Sequence, residues 1–71
     1  MIEAERPRRE TMPAIGDFFL NRISNDGFIL VRIRPTSNEP RDNMCYLHRI
    51  SDGHVVGRFQ YEIMSQTWER A

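Results

Sequence analysis

The sequence predicts a mainly β fold: a small antiparallel sheet of four or five strands, or an SH3-like barrel, built from two hairpins with a short C-terminal helical turn. Two observations support this prediction. Nearly the same phrase occurs twice, Arg-Ile-Ser-Asn-Asp-Gly at 22–27 and Arg-Ile-Ser-Asp-Gly at 49–53. Each phrase lies between apolar, β-rich runs, and Asp-Gly favours the positive φ angles of a tight reversal. Because the flanking residues match poorly, we interpret the phrases as two similar turns rather than a duplicated hairpin.

The first 13 residues are interpreted as a flexible charged arm, and residues 14–71 as the β domain. The arm is dense in charge, and Pro7 and Pro13 oppose a helix. It has too little apolar area to offset the entropy lost on ordering. It is either a tail without function or an arm that orders on a partner. In the second case the contacts come from three arginines: Arg6, Arg8 and Arg9.

The first two strands are predicted at 18–23 and 28–34, joined by a turn at 24–27. Because side chains alternate along a strand, the second strand is expected to place its apolar residues on two faces. One face carries Ile29, Val31 and Ile33. The other carries Phe28 and Leu30, followed by Arg32 and Arg34. Since both faces begin apolar, this strand is expected to be central or part of a closed barrel.

A polar loop with two prolines follows at 35–43, and loops of this length often carry function. The third strand is predicted at 44–50 and the fourth at 54–61, where Gly57 suggests a bulge or a sharp bend.

The spacing of Tyr61, Met64 and Trp68 fits one short helical turn that caps the open end of the sheet. The tail is expected to be too short for a proper fifth strand. An open, curved four-stranded sheet therefore fits as well as a barrel.

The expected core draws on both hairpins. Its members are Phe19, Ile23, Ile29, Val31 and Ile33, completed by Leu47, Val56, Phe59, Ile63 and Trp68. The side chains left over form an exposed patch of partner-binding candidates, in which aromatic and apolar groups lie beside arginines. This patch consists of Phe28, Leu30, Arg32, Arg34, Tyr46 and Arg49. The alternative is that every ring is buried and each arginine pairs with a carboxylate across strands.

Ten basic residues balance ten acidic ones, which argues against a generic polyanion binder. Every basic residue is arginine, which reflects either a GC-rich genome or an interface that exploits the planar guanidinium.

Cys45, the single cysteine, cannot form an internal disulfide, so a reducing cytoplasm is the natural setting. No apolar run is long enough to span a membrane, and the N-terminus lacks the apolar core of a secretory signal. We expect a cytoplasmic monomer without membrane contact.

No motif predicts catalysis, a metal or a cofactor. Cys45, His48 and His54 supply three ligands at most, fewer than a structural zinc site needs. Ser51, Asp52 and His54 are neighbours in one turn, whereas a catalytic triad converges from separate elements. We therefore expect a protein that is not an enzyme.

The pattern from Gly16-Asp17 to Trp68 resembles small SH3-like or Tudor-like domains, which often open with Gly-Asp and place a helical turn before a short final strand. This resemblance implies a nucleic-acid-binding module as the alternative function.

In size and layout, with a charged arm on a β core and no catalytic residues, the chain is also similar to small phage proteins that bind host RNA polymerase. The family includes transcription inhibitors and antiterminators of phages that infect Xanthomonas. This resemblance implies a non-catalytic inhibitor in the host bacterial cytoplasm that binds the largest catalytic subunit of RNA polymerase. The arm arginines and the sheet arginines would be its contact candidates.

Overall fold

The computed structural model describes residues 12–70 and confirms the predicted fold class. In chain order the elements are β1 (Phe18–Asn21), β2 (Asp26–Arg34), a 3₁₀ turn (Pro40–Asp42), β3 (Met44–Arg49), β4 (Val55–Phe59), α1 (Gln60–Ile63) and β5 (Trp68–Arg70). The five strands form one antiparallel sheet in the order β4-β3-β2-β1-β5. The arm arginines Arg6, Arg8 and Arg9 lie outside the described residues.

Residues 22–25 connect β1 to β2 and residues 50–54 connect β3 to β4, and each loop contains a left-handed residue near its end. In the first loop, Asn25 has a φ of 65° and its N–H donates to the carbonyl of Asn21 at 2.7 Å. In the second, Gly53 has a φ of 78° and donates to the carbonyl of Arg49 at 2.8 Å. The Asp-Gly pair at 26–27, which was predicted to turn the first hairpin, instead begins β2. The first phrase therefore begins just after β1 ends, whereas the second begins with the last residue of β3.

A β-bulge in β2 decides which side chains enter the core. Leu30 lies opposite Leu47 on β3, but the next pair is Arg32 opposite Tyr46. Val31 is therefore the extra residue of a bulge, and the alternation of side chains reverses beyond it.

The bulge makes the predicted faces of β2 wrong. Strict alternation places Phe28 and Leu30 on one face with Arg32 and Arg34. In the structure Phe28 and Leu30 are buried, while both arginines are exposed. The expectation that Phe28 and Leu30 form part of an exposed patch is therefore incorrect.

The core is smaller than predicted and lies on one face of the sheet. Its buried apolar members are Phe19, Phe28, Leu30, Cys45, Leu47, Ile63 and Trp68. Ile33, Val56 and Met64 pack against it. Two predicted core residues are exposed: Ile23, at the tip of the first hairpin, is 82% exposed, and Val31, in the bulge, is 42% exposed.

The C-terminal tail forms both a helical turn and a fifth strand, so the expectation that it is too short for a strand is wrong. β5 pairs with β1, with Trp68 opposite Asn21. The Trp68 ring lies 5.2 Å from that of Phe28, a tilted aromatic contact that closes the core. In α1 the buried residues are Gln60 and Ile63, so the predicted helical face does not form.

Gly57 in β4 makes room for neighbouring side chains and does not produce the predicted bulge or bend. The pairing of β4 with β3 is continuous through Gly57, which lies opposite Tyr46. A Cβ atom at this position would come within 3.2 Å of the sulfur of Met44 and 3.5 Å of the Tyr46 ring. Glycine thus lets the Tyr46 ring and the Met44 side chain lie close to β4.

Met12 and Pro13, which the sequence places at the end of the arm, contact the β domain. Pro13 is buried, and the carbonyl of Met12 accepts a hydrogen bond from Arg70 at 3.2 Å. The Met12 sulfur accepts a hydrogen bond from the Gln60 side chain at 3.5 Å.

Replacing Gly53 tests the second hairpin. Gly53→Val should destabilise the fold by about 1–2 kcal/mol, because a β-branched residue is strained at positive φ. Asn25→Gly is the matched control, since glycine adopts the same conformation freely, and it should unfold at the wild-type urea concentration or slightly above. Urea unfolding followed by tryptophan fluorescence measures both, and a Gly53→Val variant as stable as wild type would contradict the assigned turn.

Candidate docking surface

The outer face of β2 and β3 carries arginine and tyrosine side chains in register. Residues directly opposite each other in an antiparallel pair share one face of the sheet. Arg32 therefore lies on the same face as Tyr46, and Arg34 on the same face as Met44. The same row continues to β4, where Met44 faces Phe59.

Tyr46 holds two arginines at once. The guanidinium carbon of Arg32 lies 5.6 Å from the centre of the Tyr46 ring, within the range of a cation–π contact. The Nε of Arg34 donates to the Tyr46 hydroxyl at 3.1 Å. One ring thus fixes two positive charges that are two residues apart on β2.

A second arginine–tyrosine pair extends this row. Phe59 and Tyr61 stack with ring centres 5.4 Å apart, and Arg41 from the 3₁₀ turn lies 5.2 Å from the centre of the Tyr61 ring. Tyr61 is exposed, so both its ring and the cation above it reach solvent. We call the surface formed by Arg32, Arg34, Tyr46, Arg41 and Tyr61 the arginine–tyrosine face.

The arginines of the described residues fall into two groups. Arg22 pairs with Glu69 at 3.8 Å, and Arg70 pairs with Asp17 at 2.6 Å, so both tie β5 to its surroundings. Arg49 binds Asp52 and Asp26. In residues 12–70 no carboxylate pairs with the remaining four, which are Arg32, Arg34, Arg41 and Arg58.

Arg49, a predicted partner-binding residue, links the loop of the second hairpin to the start of β2. Its Nε and Nη2 donate to the two oxygens of Asp52 at 3.0 and 2.9 Å, and its Nη1 lies 3.7 Å from Asp26. The hydrogen bonds from Arg49, together with one from the backbone N–H of His54, hold the pKa of Asp52 well below its usual range. This guanidinium is therefore committed to the fold.

The structure separates the predicted site residues clearly. Arg32, Arg34 and Tyr46 come together on one exposed face, as the sequence suggested. The same expectation fails for Phe28 and Leu30, which are in the core. The alternative, in which every arginine pairs with a carboxylate, is correct for Arg22, Arg49 and Arg70. It is wrong for the four arginines that have no carboxylate partner within residues 12–70.

Arg41 and Tyr61 belong to this surface but were not among the predicted residues. Their sequence separation of 20 residues gave no signal, since only the packing of the 3₁₀ turn beside α1 brings them together. The nearest indication was the polar loop at 35–43, which carries Arg41 and was expected to have a functional role.

Other reactive groups in the described part of the chain have structural environments. Cys45 is buried, as predicted, and burial raises the pKa of its thiol. No three His, Cys, Asp or Glu residues within 12–70 are arranged to hold a metal ion. None of the helices in this range has the length and apolar character needed to cross a membrane.

Comparison of the chain with protein-family models, with curated proteins and with solved structures finds no match.

The Arg49–Asp52 pair makes stability depend on pH. The folded protein holds the pKa of Asp52 below its unfolded value of about 3.9. The ionised carboxylate therefore stabilises the fold above that pH, and this contribution decreases as the pH falls below it. Asp52→Asn should unfold at a lower urea concentration than wild type at pH 6, and the difference should narrow at pH 2–3.

Glu39→Gln is the matched control, because Glu39 is exposed and forms no ion pair with any of residues 12–70. Its urea midpoint should follow that of wild type at both pH values. An Asp52→Asn midpoint that differs from wild type by the same amount at both pH values would contradict the role given to this pair.

Proposed function

We propose that this protein is a non-catalytic binding domain and that it docks an acidic surface of a protein partner on its arginine–tyrosine face. The observation that supports this proposal is the absence, in residues 12–70, of carboxylates paired with Arg32, Arg34 and Arg41, although each lies on or beside a tyrosine ring. The other described arginines of the sheet and its loops, Arg58 apart, are paired with acids.

An arginine held on a ring is well suited to docking. The contact with the ring is worth about 0.5–1 kcal/mol at an exposed site, enough to restrict a flexible side chain. A guanidinium in contact with a ring keeps N–H groups that can still donate to carboxylates. Restricting the side chain in advance lowers the entropy lost on binding.

A protein partner fits this surface better than a nucleic acid does. The chain has no net charge, whereas non-specific binding to phosphates depends on excess positive charge. Single strands bind by stacking bases on open aromatic faces. Here Arg32 lies over Tyr46 and Arg41 lies over Tyr61, so one face of each ring is already occupied.

Bacterial RNA polymerase is the first partner to test. The proposal of a phage-encoded inhibitor that binds its largest catalytic subunit rests on the layout of the sequence, in which a charged N-terminal stretch, interpreted as an arm, precedes a β domain. The docking face adds a chemical requirement, which is that the contacted surface of the polymerase be acidic.

Removing the two arginines on Tyr46 should abolish most of the binding. In the variant Arg32→Ala with Arg34→Ala, we expect affinity for RNA polymerase to fall at least about tenfold, because each hydrogen bond to a charged group contributes about 1.5–3 kcal/mol. Tyr46→Phe keeps the ring but removes the hydroxyl that holds Arg34, and it should give a smaller loss. Co-elution and titration of isotope-labelled protein at micromolar concentration measure the binding.

Arg22→Ala is the matched control, because it removes an exposed arginine that pairs with Glu69 away from the docking face. It should bind as wild type does. If the wild-type protein does not associate with RNA polymerase, the polymerase is rejected as the partner. Binding to single-stranded nucleic acid that uses Arg32 and Arg34 and weakens steeply with salt would replace the proposal with the alternative.

A further inference from the structure

We infer that the partner contributes an extended acidic segment, which adds to β4 as a sixth strand beside the arginine–tyrosine face. This inference rests on the proposed function and names the form in which the acidic partner is recognised. It follows from the backbone groups at the edge of the sheet and from the charges around them.

β4 is an end strand whose hydrogen-bonding pattern can be assigned. The N–H of Arg49 donates to the carbonyl of His54 at 2.7 Å, and the N–H of Gln60 donates to the carbonyl of Asn43 at 2.8 Å. In an antiparallel ladder, hydrogen-bonded pairs alternate with pairs that are not hydrogen-bonded. The backbone groups of residues 56 and 58 therefore point toward β3, and those of residues 55, 57 and 59 point away from the sheet.

Side chains of the protein already bind two of these outward groups. Arg58 Nη1 donates to the carbonyl of Gly57 at 2.8 Å, and Glu62 Oε1 accepts from the N–H of Phe59 at 2.8 Å. Within residues 12–70, the N–H and carbonyl of Val55 and the N–H of Gly57 have no such partner. This half of the edge is therefore open to another strand.

The shape of the edge suits an extended backbone. Val55 is half exposed and offers an apolar contact on the outer face of the sheet. Gly57 has no side chain to oppose an incoming strand, and on the outer face the Tyr46 ring lies close to this position. A segment that adds here gains backbone hydrogen bonds from the edge and contacts for alternate side chains, which is a common mode of peptide recognition.

Charge complementarity favours an acidic segment over a second copy of this chain. Arg58 is the only charged residue of β4, and its guanidinium would turn from the Gly57 carbonyl to a carboxylate of the incoming strand. The docking face lies alongside, with Arg34 and Arg41 near the Phe59 end of the edge. Glu62 at that end would repel acids. Arg58 lies opposite Cys45, on the core side of the sheet, whereas Arg34 lies on the outer face. In an alternating segment whose apolar residues contact Val55, the carboxylates should therefore lie toward Arg58. A second β4 strand brings an arginine and no acid.

An eight-residue peptide that alternates glutamate and valine is the probe. We expect it to bind the full chain and to slow hydrogen exchange at the amides of Val55 and Gly57 at least about tenfold. We also expect Val55→Pro to weaken peptide binding at least about tenfold. Proline at the first position of an edge strand removes the outward N–H without breaking a bond to β3.

Ile23→Ala is the control, because it removes an exposed apolar side chain at the tip of the first hairpin, outside β4, and it should bind as wild type does. Exchange on the wild-type protein decides the question even if Val55→Pro fails to fold. Peptide that binds through Arg32 and Arg34 without protecting these amides would overturn the added strand and leave the docking face intact. RNA polymerase binding that requires Arg32 and Arg34, together with no binding of the peptide, would also overturn the added strand. A wild-type dimer that Val55→Pro converts to a monomer would show that a second copy occupies the edge, which also overturns the inference.

Discussion

The core and the docking face both depend on the β-bulge at Val31. The β2 sequence places two apolar residues, Phe28 and Leu30, at the same alternation as two arginines, Arg32 and Arg34. A regular strand would bury all four or expose all four. Either outcome is costly, since buried guanidinium groups need partners and exposed apolar side chains lose their burial energy. One extra residue in β2 resolves this conflict, because it lets the strand bury the first pair and expose the second.

The bulge also explains why the arginines have two different roles. Beyond it, β2 directs arginines outward onto Tyr46, where the ring fixes them and no acid among residues 12–70 competes for them. At the hairpin loops and along β5, arginines pair with Asp or Glu and connect parts of the fold. The chain therefore has no net charge as a whole but presents a local positive surface. A protein with this arrangement can be selective for an acidic partner without attracting polyanions in general.

The local features of the fold could be predicted from the sequence, while features that depend on tertiary packing could not. The hairpins were predictable because Asn, Asp and Gly cluster between apolar runs, and Cys45 was recognisable as a small buried residue. The bulge was not predictable, since Val31 fits a regular strand, and the assumed alternation exchanged the two faces of β2. β5 was missed because three residues carry little pattern, and its partner β1 lies about 50 residues earlier in the chain. In the site, Arg32, Arg34 and Tyr46 were predictable, but Arg41 and Tyr61 meet only in the folded protein.

The cross-strand contacts of β2 and β3 in solution provide the most direct test of this account. Nuclear Overhauser effects measured on the full chain should place Leu30 opposite Leu47 and Arg32 opposite Tyr46, with the Tyr46 ring close to the side chains of Arg32 and Arg34. A continuous register, with Val31 opposite Tyr46 and Arg32 opposite Cys45, would contradict the account, because the arginines would then share a face with the core.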